Sequence, residues 1–176
     1  EVSGYPYVDL ESVVETAREN DEPPFLLLLD HLQDPQNLGS LLRSAEAAGL
    51  HGVVIPERRA AGVTPAAVRA SAGAAEHMHV AQVTNLVRTM EWLKTRDVWL
   101  VGLEAAPGAQ LHTQADLKGS LGLVVGSEGQ GLARLVRETC DYFIRLPMYG
   151  QVESLNAGVA GAIALYEADR QRTGKD

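Results

Sequence analysis

The chain has 176 residues, 45% of them apolar and 22% charged, which is enough to close one core of ordinary domain size. Apolar runs such as Phe25 to Leu29 are far too short to span a bilayer, and residues 1–20 carry neither a basic start nor a long apolar segment. This points to the cytoplasm and to no membrane partner. A formal net charge of −8 argues against a strong nucleic-acid binder acting alone, because affinity for phosphate backbones comes mainly from clustered Lys and Arg. The single cysteine, Cys140, cannot form an internal disulfide and reads as a buried small hydrophobe rather than a nucleophile.

In chain order, Asp9 to Arg18 reads as a helix capped by Asp9, followed by the breaker Asn20-Asp21-Glu22-Pro23-Pro24. Residues 1–24 are therefore expected to form a linker or tether ahead of a domain spanning residues 25–176. From Phe25 onward, short apolar runs alternate with helix-period segments, the pattern of an α/β fold with a mostly parallel sheet flanked by helices. Strands are expected at Phe25 to Asp30, Gly52 to Ile55, Met78 to Val83, Val98 to Leu103, Leu121 to Val125 and Tyr142 to Leu146. Their runs are nearly continuous, as in strands buried on both faces. Helices are expected from Leu38 to Ala48 before Gly49, from Thr64-Pro65 through Arg69, from Thr84 through Leu93, from Leu132 to Cys140, and from Leu155 to Arg172. The last holds Ala157, Gly158, Ala160, Gly161, Ala162 and Ala164, so it must pack very closely against backbone or a partner.

Ligands of open parallel sheets bind at the carboxyl ends of strands, and three of the loops there are unusual. The first, Asp30 to Gly39, leads into a helix carrying Arg43. The second is the glycine-rich run Gly126-Ser127-Glu128-Gly129-Gln130-Gly131, which suits either a tight turn or a close backbone approach to a ligand. The third runs from Pro147 to Asn156. Asn37 fits a helix cap as well as a site residue, Arg43 fits a solvated outer face, and Ser154 fits the cap of the last helix. Asp34 and Glu128 could pair for acid–base work or recognise a cation, and spacing alone does not decide. His77 and His79 would point to opposite faces of a strand with no cysteine partner, so no metal site is expected.

Asp34-Pro35-Gln36-Asn37-Leu38-Gly39-Ser40-Leu41-Leu42-Arg43-Ser44-Ala45 closely resembles the first motif of the SpoU/TrmH-type RNA ribose 2′-O-methyltransferases. Val125-Gly126-Ser127-Glu128-Gly129-Gln130-Gly131-Leu132 resembles the second. Leu146-Pro147-Met148 with Glu153-Ser154-Leu155-Asn156-Ala157-Gly158-Val159-Ala160 resembles the third, in matching order, and the likeness covers roughly residues 25 to 172.

The resemblance implies a deep C-terminal trefoil knot, S-adenosylmethionine as methyl donor, and a homodimer with its active site at the subunit interface. It implies that Leu103, Gly126, Leu146, Met148, Ser154 and Leu155 hold the cofactor. Asn37, Arg43, Glu128, Ser154 and Asn156 would form the catalytic neighbourhood, with Arg43 orienting the ribose or phosphate and stabilising the developing alkoxide. Gly158 stands where relatives commonly have serine. The overall likeness favours a guanosine of large-subunit rRNA as substrate, with tRNA guanosine next and a non-catalytic RNA-binding or assembly factor as the alternative. RNA as partner conflicts with the acidic charge. The nearby Arg58, Arg59 and Arg69 soften the conflict, as does the start at Glu1 rather than Met, which suggests an RNA-binding part on the N-terminal side.

Overall fold

The computed structural model describes residues 4–174, so Glu1, on which that N-terminal expectation rested, lies outside the described residues. In chain order the elements are α1 (Leu10–Glu19), β1 (Phe25–Leu29), α2 (Pro35–Ala47), β2 (Gly52–Pro56), α3 (Pro65–Ala70), β3 (Val80–Val83), α4 (Leu86–Thr95), β4 (Trp99–Leu103), β5 (Gln110–Leu111), β6 (Leu121–Val125), α5 (Arg134–Thr139), β7 (Tyr142–Arg145) and α6 (Ala157–Thr173). The strands form one sheet in the order β3-β2-β1-β6-β4-β7-β5, and each pairing between them is parallel.

Alternate side chains of the central strands enter opposite apolar layers. Leu27, Leu29, Val53, Ile55 and Leu123 join Leu38, Leu41 and Leu42 of α2, Ala67 of α3, and Ala164 and Leu165 of α6 on one face. Leu26, Leu28, Val54, Leu100 and Val124 join Leu10 and Val14 of α1, Met90 and Leu93 of α4, and Val136 of α5 on the other. With both faces covered, β1, β2 and β6 are buried along their whole length, which is why their sequences do not alternate.

Helix α1 is part of this packing rather than a tether. Its Leu10, Val14 and Ala17 are buried, and the Val8 N–H donates to the Val80 carbonyl at 2.9 Å. The expected strand from Met78 begins at Val80, because the Met78 N–H closes a turn onto the Ala74 carbonyl. The two-residue strand β5 is too short to leave a periodic trace in sequence. Among the described residues no helix is long and apolar enough to cross a membrane. Cys140 is half-buried, and burial, followed by the neighbouring Asp141 charge, pushes its thiol up to about 12, which leaves it without nucleophilic character.

Close approach of helices depends on glycine. A Cβ on Gly39 of α2 would overlap the Ala70 side chain and lie 2.6 Å from the Ala67 carbonyl oxygen of α3. A Cβ on Gly161 of α6 would run into Leu41 of α2. The glycines Gly158 and Gly161 of α6 are thus explained by its seat on α2, where a Gly158 Cβ would also lie 3.2 Å from Ser40 Oγ. Gly39→Ala is expected to lower stability by about 1–3 kcal/mol in urea denaturation, since overpacking against backbone outweighs alanine's better helix propensity.

Candidate active site

The ends of the three central strands are level. Leu29 of β1 and Leu103 of β4 are both register partners of Val125 of β6, so Asp30, Gly126 and Glu104 follow side by side. The backbone turns sharply there: a Cβ on Gly126 would collide with Gly131, and Ser127 and Gly131 bridge each other with N–H to carbonyl bonds of 3.2 and 3.0 Å. The positive φ of Gly129 (82°) and Gly131 (72°) completes the turn.

Three carboxylates fix this loop. Glu104 Oε1 accepts from the Leu132 N–H at 2.9 Å, while its Oε2 takes Arg137 Nε at 2.5 Å. Asp30, only 2% exposed, accepts from the Ala133 N–H at 2.7 Å. Glu128 reaches the other way and accepts from the N–H groups of Gln33 (3.2 Å) and Asp34 (3.0 Å) and from Asn37 Nδ2 (3.1 Å). Burial works to raise the Glu128 carboxyl. The hydrogen bonds from the Asn37 side chain and from the N–H groups of Glu128, Gln33 and Asp34 together outweigh it, so the carboxyl sits below its ordinary range.

These contacts correct several sequence expectations. Helix α5 starts at Arg134 rather than Leu132 because the Leu132 and Ala133 N–H groups are already bound to carboxylates. Helix α2 starts at Pro35, capped by Asp34, whose carboxylate accepts from the Gln36 N–H at 2.9 Å. Asn37 is therefore not the cap but a buried first-turn residue aimed at Glu128, and Asp34 and Glu128 each hold amides instead of facing one another as an acid–base pair. Asn85, not Thr84, caps α4. Asn156, not Ser154, caps α6, accepting from the Val159 N–H at 3.1 Å.

A cleft of about 330 Å³ opens at the carboxyl ends of β4, β6 and β7. Leu103, Gly126, Glu128, Leu146, Met148, Ser154 and Leu155 all line it, so the residues expected to hold a cofactor converge from three separated stretches of chain. Asn37 joins through Glu128. Asn37 and Asn156 meet at Gly158, where a Cβ would lie 3.3 Å from Asn37 Oδ1, 3.2 Å from Asn156 Oδ1 and 3.2 Å from Ser40 Oγ. Arg43 is not brought in: it is exposed on α2, outside the cleft lining. Sequence reasoning missed Glu104, which lines the cleft and holds the loop. Its one visible signal is its position directly after a strand, level with Gly126.

Residues 24–166 match the SpoU rRNA Methylase family. The chain is 49% identical over 172 residues to YacO of Bacillus subtilis, a protein assigned to the TrmH family of tRNA/rRNA methyltransferases, covering 98% of this chain and 69% of that one. It is 51% identical over 152 residues to the 23S rRNA (guanosine-2′-O-)-methyltransferase RlmB of Bordetella pertussis, covering 86% and 62%. The SpoU methyltransferase AviRb of Streptomyces viridochromogenes, solved in complex with AdoMet, superposes with a TM-score of 0.84 at 33% identity over 96% of this chain and 66% of that one. The chain thus spans about two thirds of the length of each of these proteins.

The Glu128 tie has a testable sign. A carboxyl lowered in the folded state stabilises above its unfolded value, and the gain is lost as pH falls through the lowered one. Glu128→Gln is expected to destabilise by about 1–2 kcal/mol at pH 7, since hydrogen bonds to a charged group are lost near the surface. Amide exchange at Gln33 and Asp34 should quicken. In urea titrations the gap from the unsubstituted chain should begin to close as pH falls below the ordinary value of 4.5 and should vanish under the lowered one.

Proposed function

The chain belongs to the SpoU rRNA methylase family, and on that premise we propose that it transfers a methyl group from S-adenosylmethionine to a ribose 2′-hydroxyl of RNA, with a guanosine of 23S rRNA as the acceptor. The observation that carries this reading is the convergence of Leu103, Gly126, Leu146, Met148, Ser154 and Leu155 on one cleft. Its likeness to a named rRNA guanosine enzyme at 51% identity supports the choice of substrate.

The residues present fit the methyl donor. Leu103, Leu146, Met148 and Leu155 offer apolar walls for a nucleoside, Ser154 offers a hydroxyl, and the absence of a Cβ at Gly126 lets the loop fold back on Gly131 and form one edge of the cleft. When bound, the donor supplies a methyl group on a sulfonium, which requires only an in-line nucleophile at close range. The chain's own task is to place the ribose oxygen and stabilise its developing negative charge. Arg43 performs that second role as a charged donor whose planar guanidinium fork can orient the ribose or phosphate and face the developing oxyanion. The ionised Glu128 holds Asn37, which faces Asn156 beside Gly158 and positions the polar end of the site.

Because Arg43 stands outside the cleft of its own chain, the reading includes a homodimer in which Arg43 serves the cleft of a second copy. Exposed apolar residues favour such a partner. Val159, Ile163 and Tyr166 are 50%, 40% and 48% exposed at helical spacing along α6, and Met148 and Leu155 of the cleft lining are exposed as well. The knotted threading of the segment between β7 and α6, and action in the cytoplasm, belong to the same reading.

The test is transfer of labelled methyl to unmodified 23S rRNA and, separately, to unmodified tRNA, with the modified nucleotide mapped. Ribose labelling of 23S rRNA is expected. Arg43→Ala should lower kcat by roughly 100-fold or more without weakening cofactor binding, in line with loss of one charge-stabilising donor. Near-normal turnover by Arg43→Lys would remove the specific guanidinium role. Labelling of tRNA alone would move the substrate, and no labelling despite cofactor binding would favour a non-catalytic RNA-binding role.

A further inference from the structure

A second cleft, of about 540 Å³, shares the glycine-rich loop with the first. Its opposite wall comes from the ends of β1 and β2 rather than from β4 and β7: Asp30, His31, Gln33 and Arg59 face Glu128 and Gln130. The loop is a single layer of backbone with one cleft on either side. A group seated in the second cleft is therefore beside the methyl-transfer centre but not in it, and in a polymer the natural occupant of such a place is the next unit of the chain.

Most polar groups of this cleft hold one another, and two cationic or aromatic edges, those of His31 and Arg59, are left over for a ligand. The Asp30 carboxylate is buried and fully engaged, holding the Ala133 N–H at 2.7 Å and His31 Nδ1 at 2.8 Å. That second bond pins one edge of the imidazole and leaves the Nε2 edge without a partner among the described residues. His31 and Arg59 both adopt left-handed backbone, with φ of 59° and 57°. A single side chain holds them together: Gln33 Nε2 donates to the His31 carbonyl at 3.0 Å and to the Arg59 carbonyl. The Arg59 guanidinium makes no ion pair or hydrogen bond among the described residues, and neither does that of the adjacent Arg58. In contrast, Arg96, Arg134, Arg137 and Arg170 are all paired with carboxylates. In a chain of net charge −8, a guanidinium at a cleft mouth with no carboxylate partner is available to an anion.

We propose that this second cleft seats the nucleotide flanking the methylated one, with Arg59 on its phosphate and the His31 ring against its base. Histidine rings are among the aromatic platforms on which splayed RNA bases stack, and a guanidinium suits phosphate by its bidentate fork. The placement rests on the methyl-transfer reading of the first cleft, but the subsite is a binding claim and can be tested as one.

Arg59→Gly and His31→Asn both suit left-handed backbone, so the loop should survive. Binding of fluorescent, unmodified 23S rRNA fragments by the full chain is expected to weaken roughly tenfold in each, and the slope of log Kd against log salt should fall by about one in Arg59→Gly. S-adenosylmethionine affinity should not change. Replacing the nucleotides next to the target one at a time should matter to the unsubstituted chain and much less to His31→Asn. Unchanged RNA affinity, salt slope and sequence preference in both variants would overturn the subsite, as would a lack of RNA binding by the unsubstituted chain. If RNA binds with the expected dependence on Arg59 and His31 yet no methyl is transferred, the methyl-transfer reading falls and the subsite stands.

Discussion

Two carboxylates grip the same loop from opposite sides, and the rest of the site depends on them. Asp30 ends β1 and Glu104 ends β4; β6 lies between, and the three strands stop at one level. The carboxylates therefore reach consecutive amides, Ala133 and Leu132, where the chain returns from its glycine turn. Hydrogen bonds to charged groups contribute about 1.5–3 kcal/mol each, and burying Asp30 unsatisfied would cost more than that. A slip of one residue in either register would move a carboxylate to the other face of the sheet and release the loop.

Glycine sets the second condition. At Gly39, Gly158 and Gly161 it lets α2 lie against both α3 and α6, and this brings Asn37 and Asn156 to one point although 119 positions separate them in the chain, the difference of their numbers. The cleft is thus assembled from strand ends on one side and from the first turns of α6, which pack on α2, on the other. The acidic balance of the chain is compatible with an RNA partner in this light. Six of its fifteen Lys and Arg residues, Lys94, Arg96, Lys118, Arg134, Arg137 and Arg170, are paired with carboxylates, while Arg58 and Arg59, just past the carboxyl end of β2, have no such pair among the described residues.

The strands were legible in the sequence because burial on both faces leaves continuous apolar runs, and the three motif loops were legible because they sit where those runs end. The helix starts were less so. Ser154, Thr84 and Leu132 looked suitable, but Asn156, Asn85 and Ala133 hold those positions, since what fixes a start is which amides are already taken by distant groups. Glu104 went unseen for a similar reason: its task depends on a register partner, not on neighbours in sequence. The left-handed backbone at His31 and Arg59 has no compositional mark, because neither residue is glycine. Arg43 could be placed on a helix from sequence, but which cleft it faces is a matter of assembly.

The loop shared by the two clefts has a thermodynamic consequence. It is anchored at Glu128, again at Gly131 through its bridge to Ser127, and again at Leu132 and Ala133, so the tip at Gly129 and Gln130 is the part left to adjust. An occupant on one side that favours a particular stance of this span changes the affinity on the other side, and by linkage the effect is reciprocal and of equal size. Two residues of backbone would then carry cooperativity between methyl donor and acceptor, with no rearrangement of the sheet beneath them.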